Sequence, residues 1–354
     1  MLFYTMSKTT QQLVGQLLIA GFRNSELSKN SAIEKYIKTY NLAGVILYDE
    51  DVKIGGPGTR NVKSPTQLKI LIESLQYFSP NKNLLISIDQ EGGTVNRLKS
   101  IYGFPETPSW QHIGLLKNKL ITEQFSETIS GALSSVGVNV NFAPVLDLDY
   151  GNKTVIGKTQ RAFTSDPDLL IKHAKIFIDA HKKKHIISCG KHFPGQGSAL
   201  GDTHEGYTDI SNSWTVKDLL PFDKLIQDNY LDLIMVSHTF DTKLDPTYPA
   251  SLSKKIITST LRDDLGFQGV VICDDPSMRA ISDNYNLKDT FEIMLNAGID
   301  LFCLGNNLIY DPDYIPKSVN AICQLLTSGK IKKERILKSI ERIKALKKKY
   351  KIRV

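Results

Sequence analysis

The sequence predicts an α/β protein built as a single (β/α)8 barrel of the TIM type, with room for one irregular strand. Three observations point there. Eight short apolar runs recur along the 354 residues, spaced widely enough for crossover helices between them. The runs are continuous rather than alternating, the pattern of strands buried on both faces of a parallel sheet. Polar residues able to move protons follow the runs directly, and a barrel collects the C-terminal ends of its strands at one mouth.

In chain order the runs are LLIAG (17–21), GVILY (44–48), LLISI (84–88), VNVNFAP (138–144), IISCG (186–190), LIMVS (233–237), VVICD (270–274) and DLFCLG (300–305). Between them, SPTQLKILIESLQYF (64–78) and LITEQFSETISGALSSVG (120–137) place apolar residues at helical steps. After the third run comes Asp89-Gln90-Glu91-Gly92-Gly93, and Asp147 follows the fourth. The fifth leads into Lys191 and His192, the sixth into Ser237 and His238, and the seventh ends at Asp274 and Asp275. An open Rossmann-like sheet is the competing fold. It normally carries a glycine-rich turn after its first strand, and GFRNSE is not one.

With 41% hydrophobic and 23% charged residues the composition is that of a globular chain with material for one large domain or two modest ones; the eight-run pattern is read as one unit over residues 1–354, and the chain is expected to act as a monomer. No apolar run approaches the roughly 20 residues that span a bilayer, so stable membrane insertion is not expected. The opening MLFYTMSKTTQQ lacks the basic and then apolar layout of a signal peptide. Cys189, Cys273, Cys303 and Cys323 form no CxxC pair, and free thiols fit a cytoplasmic protein. A periplasmic or secreted destination replaces that expectation if a leader has been removed.

The net charge of +7 hides an asymmetry. From Lys330 to Val354 twelve Lys and Arg face two Glu, a local +10 that leaves the rest of the chain near −3. Ile331, Ile336, Ile340, Ile343 and Leu346 recur there at three- and four-residue steps, which predicts an amphipathic helix over about 330–354 with a solvated basic face. No aromatic-interleaved basic motif accompanies it, so nucleic acid is not an expected partner.

Each polar candidate has a bland and a chemical reading. Asp274 is either a helix N-cap or a catalyst, and Asp275 reads first as a cap. Asp202 and His204, two apart in a loop, either share a hydrogen bond suited to acid/base work or form a plain turn. Lys191 leaves a buried strand and needs a partner or polar ligand. Arg161, Arg97 and Asp89 each fit surface or turn positions equally well. The chain has no HxH or HExxH pattern, and no metal site is expected.

In combination these stretches carry a resemblance. The ordered set GQLLIAGF, GVILY, DQEGGTVNR, NFAPVLDL, RAFTSDP, KHFPGQG…DTH, MVSHTF, YPASLS and GVVICDDPSM resembles the N-terminal catalytic barrel of glycoside hydrolase family 3, from about Gly15 to the C-terminal helix. The D-x-H loop is similar to that of the β-N-acetylglucosaminidase branch, whose bacterial members commonly act in peptidoglycan recycling. The resemblance implies a retaining glycosidase acting on small β-linked N-acetylglucosamine substrates without metal or organic cofactor. It implies that Asp274 is the nucleophile and His204 the acid/base, with Asp202 as its partner. It places sugar binding on Asp89, Arg161, Lys191 and His192, and sets His238 near the sugar. Departures fall at Gln196, where the family usually has histidine, at Pro276, where leucine is common, and in the loop 51–65, which is extended. Two other readings stand beside this one: phosphate as the acceptor in place of water, and a sugar-binding protein without catalysis.

Overall fold

Continuous β-branched runs bury both faces only if covered on both, and the computed structural model, which describes residues 8–354, shows them covered. The barrel strands are β1 (Leu18–Gly21), β2 (Gly44–Leu47), β3 (Leu85–Ile88), β4 (Val140–Asn141), β5 (Ile187–Phe193), β6 (Leu233–Val236), β7 (Val270–Cys273) and β8 (Leu301–Leu304). All eight pair in parallel and in chain order. The ring closes because β1 pairs with both β2 (Ala20 opposite Val45) and β8 (Ile19 opposite Cys303). The expected (β/α)8 barrel is thus the observed fold. The irregular strand is β4, where regular pairing covers only two residues of the run 138–144.

Side chains alternate along each strand and so sort into two cores. Ile19, Ile46, Leu85, Ile187, Leu233, Met235, Ile272 and Cys303 fill the barrel interior. Their neighbours Ala20, Val45, Ile86, Ile234, Val271 and Phe302 face the surrounding helices. The predicted helices are present as Pro65–Phe78 and Lys119–Val136. Ser64 caps the first by accepting from the Gln67 amide, and Pro65 occupies its first turn, where no N–H is needed. Gly137 ends the second at φ 91°, a left-handed conformation that favours glycine.

The basic tail forms the helix Lys333–Lys349, which closes the barrel floor. Ile343, Leu346 and Tyr350 join the interior core, while Ile331, Ile336 and Ile340 pack in the helical shell. The basic face is only partly solvated. Arg335 and Arg342 turn inward with Arg262 onto Asp300, which is fully buried just before β8, at 3.4, 3.1 and 2.6 Å. Ser339 Oγ donates to the same carboxylate at 2.7 Å. Among the described residues no helix is long and apolar enough to cross a membrane.

Candidate active site

The C-terminal strand ends surround a cavity of about 510 Å³. Asp89, Arg161, Lys191, His192, Asp202, His204 and Asp274 all line it, although they span almost two hundred positions of sequence. His238 is the exception among the predicted residues. It is buried behind Asp275, with Nε2 3.0 Å from the Asp275 carbonyl and Nδ1 2.7 Å from Ser251 Oγ. Burial pushes its pKa down, so it stands as a neutral strut under the Asp274–Asp275 turn.

The β5 end supplies two consecutive side chains to the cavity. Strand residues normally alternate faces, but the β5–β6 register shifts between Lys191 and Phe193, so Lys191 and His192 both reach the cavity. Lys191 Nζ lies 2.8 Å from Asp89 Oδ1 and 2.6 Å from Glu91 Oε1. Arg161 donates to both oxygens of Glu91, from Nε at 2.9 Å and Nη2 at 2.8 Å. Burial alone would neutralise Glu91, yet Arg161 and Lys191 outweigh it and hold the carboxyl far below its ordinary pKa. Burial likewise opposes the Lys191 charge, and Asp89 with Glu91 overcomes it. Charges so deeply buried persist because each is paired.

His192 is oriented from behind. Its Nδ1 is 2.6 Å from Asp147 Oδ2, and Asp147 Oδ1 also accepts the Gln196 amide at 2.7 Å. An Nδ1–H donated to Asp147 leaves Nε2 as the acceptor, which faces Arg161 Nη2 at 3.3 Å. The Asp89 loop is clamped in turn by Asn141 at the end of β4. Its amide oxygen accepts the Gln90 N–H at 3.0 Å and its amide nitrogen donates to the Gln90 carbonyl at 3.0 Å.

Asp274 follows β7, half open to the cavity, and its Oδ1 accepts the Asp275 amide at 2.8 Å. Burial raises its pKa, and the imidazoles of His238, His192 and His204 together with that amide outweigh burial, leaving it below 3.8. Asp275 differs. It caps a turn rather than a helix, accepting the Ser277 amide at 2.9 Å, and burial pushes its pKa up to about 6. Two adjacent carboxyls are thereby separated, the more exposed one kept ionised.

Opposite lies the arm of Asp202 and His204. Asp202 Oδ1 takes the His204 amide at 2.9 Å and lies 2.7 Å from the His204 ring Nδ1. The turn and the dyad, alternatives in the sequence, therefore coexist. Burial lowers the His204 pKa, and the Asp202 bond with the Asp274 charge raises it further than burial lowers it, to above 6.5.

Glycine accepts backbone angles that other residues resist, so from sequence Gly195, Gly197 and Gly201 are expected to give the arm freedom to bend. Instead, a Cβ on Gly197 would run into the Leu148 carbonyl, and Gly195, at φ 122°, is backed against Asp218. Residues 191–199 are buried throughout, and exposure begins at Leu200. Close approach, not flexibility, requires those two glycines.

The sequence alone gives Glu91 and Asp147 no role. The signal for both was position, since each sits at or just beyond a strand end. Arg97 also lines the cavity, its Nη1 3.7 Å from Asp49 Oδ1 and its guanidinium 5.6 Å over the Tyr48 ring, so it is not a plain surface residue.

The sequence pattern of the glycosyl hydrolase family 3 N-terminal domain matches residues 9–346. A β-hexosaminidase of Nitrosomonas eutropha is 33% identical over 285 residues, covering 77% of this chain and 75% of its own length. One of Tolumonas auensis is 34% identical over 253 residues, covering 70% of this chain and 74% of its own. The solved structure of a family 3 β-N-acetylglucosaminidase from a Paenibacillus species superposes with TM-score 0.87 at 29% identity. That match covers 97% of this chain and 62% of the longer Paenibacillus chain. The chain belongs to glycosyl hydrolase family 3 and is a glycoside hydrolase of the β-hexosaminidase type.

Proposed function

We propose that the protein is a retaining exo-acting β-N-acetylglucosaminidase in which Asp274 is the nucleophile and His204 the acid/base. The observation that carries the reading is that Asp274 and the Asp202–His204 pair line one cavity with the Lys191–Asp89 grip. The similar Paenibacillus structure bears the name β-N-acetylglucosaminidase, which supports the substrate class.

The chemistry follows from the protonation states. Asp274, ionised across the neutral range, attacks the anomeric carbon while protonated His204 gives a proton from Nε2 to the leaving oxygen. Asp202 holds the opposite nitrogen and stabilises the imidazolium. In the second step neutral His204 takes a proton from water, which displaces Asp274 and restores the anomeric configuration. A neutral base avoids placing another anion beside Asp274 during that step. Asp89 accepts from sugar hydroxyls, and Lys191, Arg161 and His192 complete the grip. The four cysteines are free and buried, which suits a reducing compartment such as the cytoplasm.

The test is turnover of an aryl β-N-acetylglucosaminide by wild type, Asp274→Ala and His204→Ala, with and without inorganic phosphate. Loss of turnover in both variants is expected, and an unimpaired Asp274→Ala enzyme overturns the assignment. Release of a sugar 1-phosphate only when phosphate is added would replace water with phosphate as acceptor.

A further inference from the structure

Gln196 is 5% exposed, and its side-chain oxygen is buried with no hydrogen-bond donor among the described residues. An unmet buried acceptor is destabilising, so its retention calls for a partner in some state of the protein. Its pose is fixed. The Gln196 amide donates to Asp147 Oδ1 at 2.7 Å, and its carbonyl accepts the Ala199 amide at 3.1 Å. Gly195 and Gly197, backed against Asp218 and Leu148, hold the chain on either side. The side chain lines the same cavity as Arg161, His192 and His204. With the backbone so held, a donor for this oxygen has to come from outside the protein, by way of the cavity that the side chain lines.

We propose that Gln196 is a substrate-binding residue whose carboxamide oxygen accepts a hydrogen bond from an O–H or N–H of the sugar seated against Arg161 and His192. The inference rests on the glycosidase reading above and adds a contact to it. The chemistry of that wall explains the need. Arg161 presents only donors, and the acceptor nitrogen of His192 is already engaged by Arg161 Nη2 at 3.3 Å. A sugar hydroxyl or acetamido N–H turned to this wall finds its acceptor in Gln196. A neutral amide supplies it without adding another anion beside the Glu91 and Asp147 carboxylates.

The experiment is Gln196→Leu, which nearly keeps the volume and removes both polar atoms, with Gln196→Ala as a second variant. Thermal melting and steady-state kinetics on an aryl β-N-acetylglucosaminide are measured together. Since the Gln196 side chain makes no hydrogen bond among the described residues, the leucine variant is expected to melt at or above the wild-type temperature. Its KM is expected to rise about tenfold with kcat nearly unchanged, the signature of lost ground-state binding. A folded variant with wild-type KM overturns the inference. So does a raised KM that tracks a lowered melting temperature in both variants, which marks a structural role. If wild type itself fails to turn the glycoside over, the glycosidase reading is what has failed. Calorimetric titration with free N-acetylglucosamine then decides the contact: weaker binding by Gln196→Leu supports it, and equal binding or none by wild type rejects it.

Discussion

His204 Nδ1 lies 2.7 Å from Asp202 Oδ1, and the same oxygen accepts the His204 backbone amide at 2.9 Å. One carboxylate oxygen thus fixes both the ring and the chain that carries it. The free ring nitrogen, Nε2, is left for the substrate side of the cavity.

That arrangement sets a pH profile. His204 must be protonated in the free enzyme, and the Asp202 bond and Asp274 charge hold its pKa above 6.5. Asp274 must be ionised, and its pKa lies below 3.8. Measured kcat/KM should therefore fall on the acid side below 3.8 and on the alkaline side above 6.5. Asp202→Asn removes the anion that stabilises the imidazolium. Its alkaline limb should move to lower pH, and its maximal rate should drop on the order of tenfold to a hundredfold, within the range general acid catalysis supplies.

Asp147 is fully buried and accepts from the His192 ring, the His192 amide at 3.3 Å and the Gln196 amide. Asp147→Ala strands three buried donors and frees the imidazole to turn. Destabilisation of about 3–5 kcal/mol is expected in urea titration, as for other broken buried charged bonds. KM should rise at least about tenfold, with the larger share of the loss in binding rather than in kcat.

Asp275 makes folding stability depend on pH. Its carboxyl has a pKa of about 6 when folded against an ordinary value of 3.8. The folded state binds this proton more tightly, so the associated stability is full below 3.8 and is lost as pH rises through about 6. The two values differ by an amount worth on the order of 3 kcal/mol. Asp275→Asn carries no such charge. Chemical denaturation at pH 4 and pH 7 should show the variant gaining on wild type by roughly that amount as pH rises.

At the opposite end, Asp300 gathers Arg262, Arg335 and Arg342. Asp300→Ala leaves three guanidinium groups facing one another around a buried void. A loss of about 3–5 kcal/mol is expected from denaturant titration. The kcat/KM of the fraction that remains folded should stay within about twofold of wild type, since the floor is a barrel length away from the chemistry.

How much of this was written in the sequence depends on distance along the chain. The eight strands were legible because a run such as VVIC has one stable home, a position covered on both faces. Their C-terminal ends named Asp89, Asp147, Lys191 and Asp274 by position alone. The roles of Glu91 and Asp147 were not legible, because Arg161 meets Glu91 across 70 positions and His192 meets Asp147 across 45, and no local pattern records either pairing. Gly197 is ambiguous in the sequence for a related reason. Glycine marks both a hinge and a close contact, and only the Leu148 carbonyl beside it distinguishes them. The basic tail hid its inward arginines in the same way, since Asp300 appears in the sequence as one more acidic residue before a strand.

The proposed mechanism requires a covalent bond between the sugar and Asp274. A fluorinated β-N-acetylglucosaminide that slows both steps, followed by acid quench and peptide mapping by mass spectrometry, measures it directly. One N-acetylglucosaminyl-type adduct on the peptide containing Asp274, with retained configuration in the released product, is the predicted result. An adduct on another residue, or product of inverted configuration, would contradict the assignment.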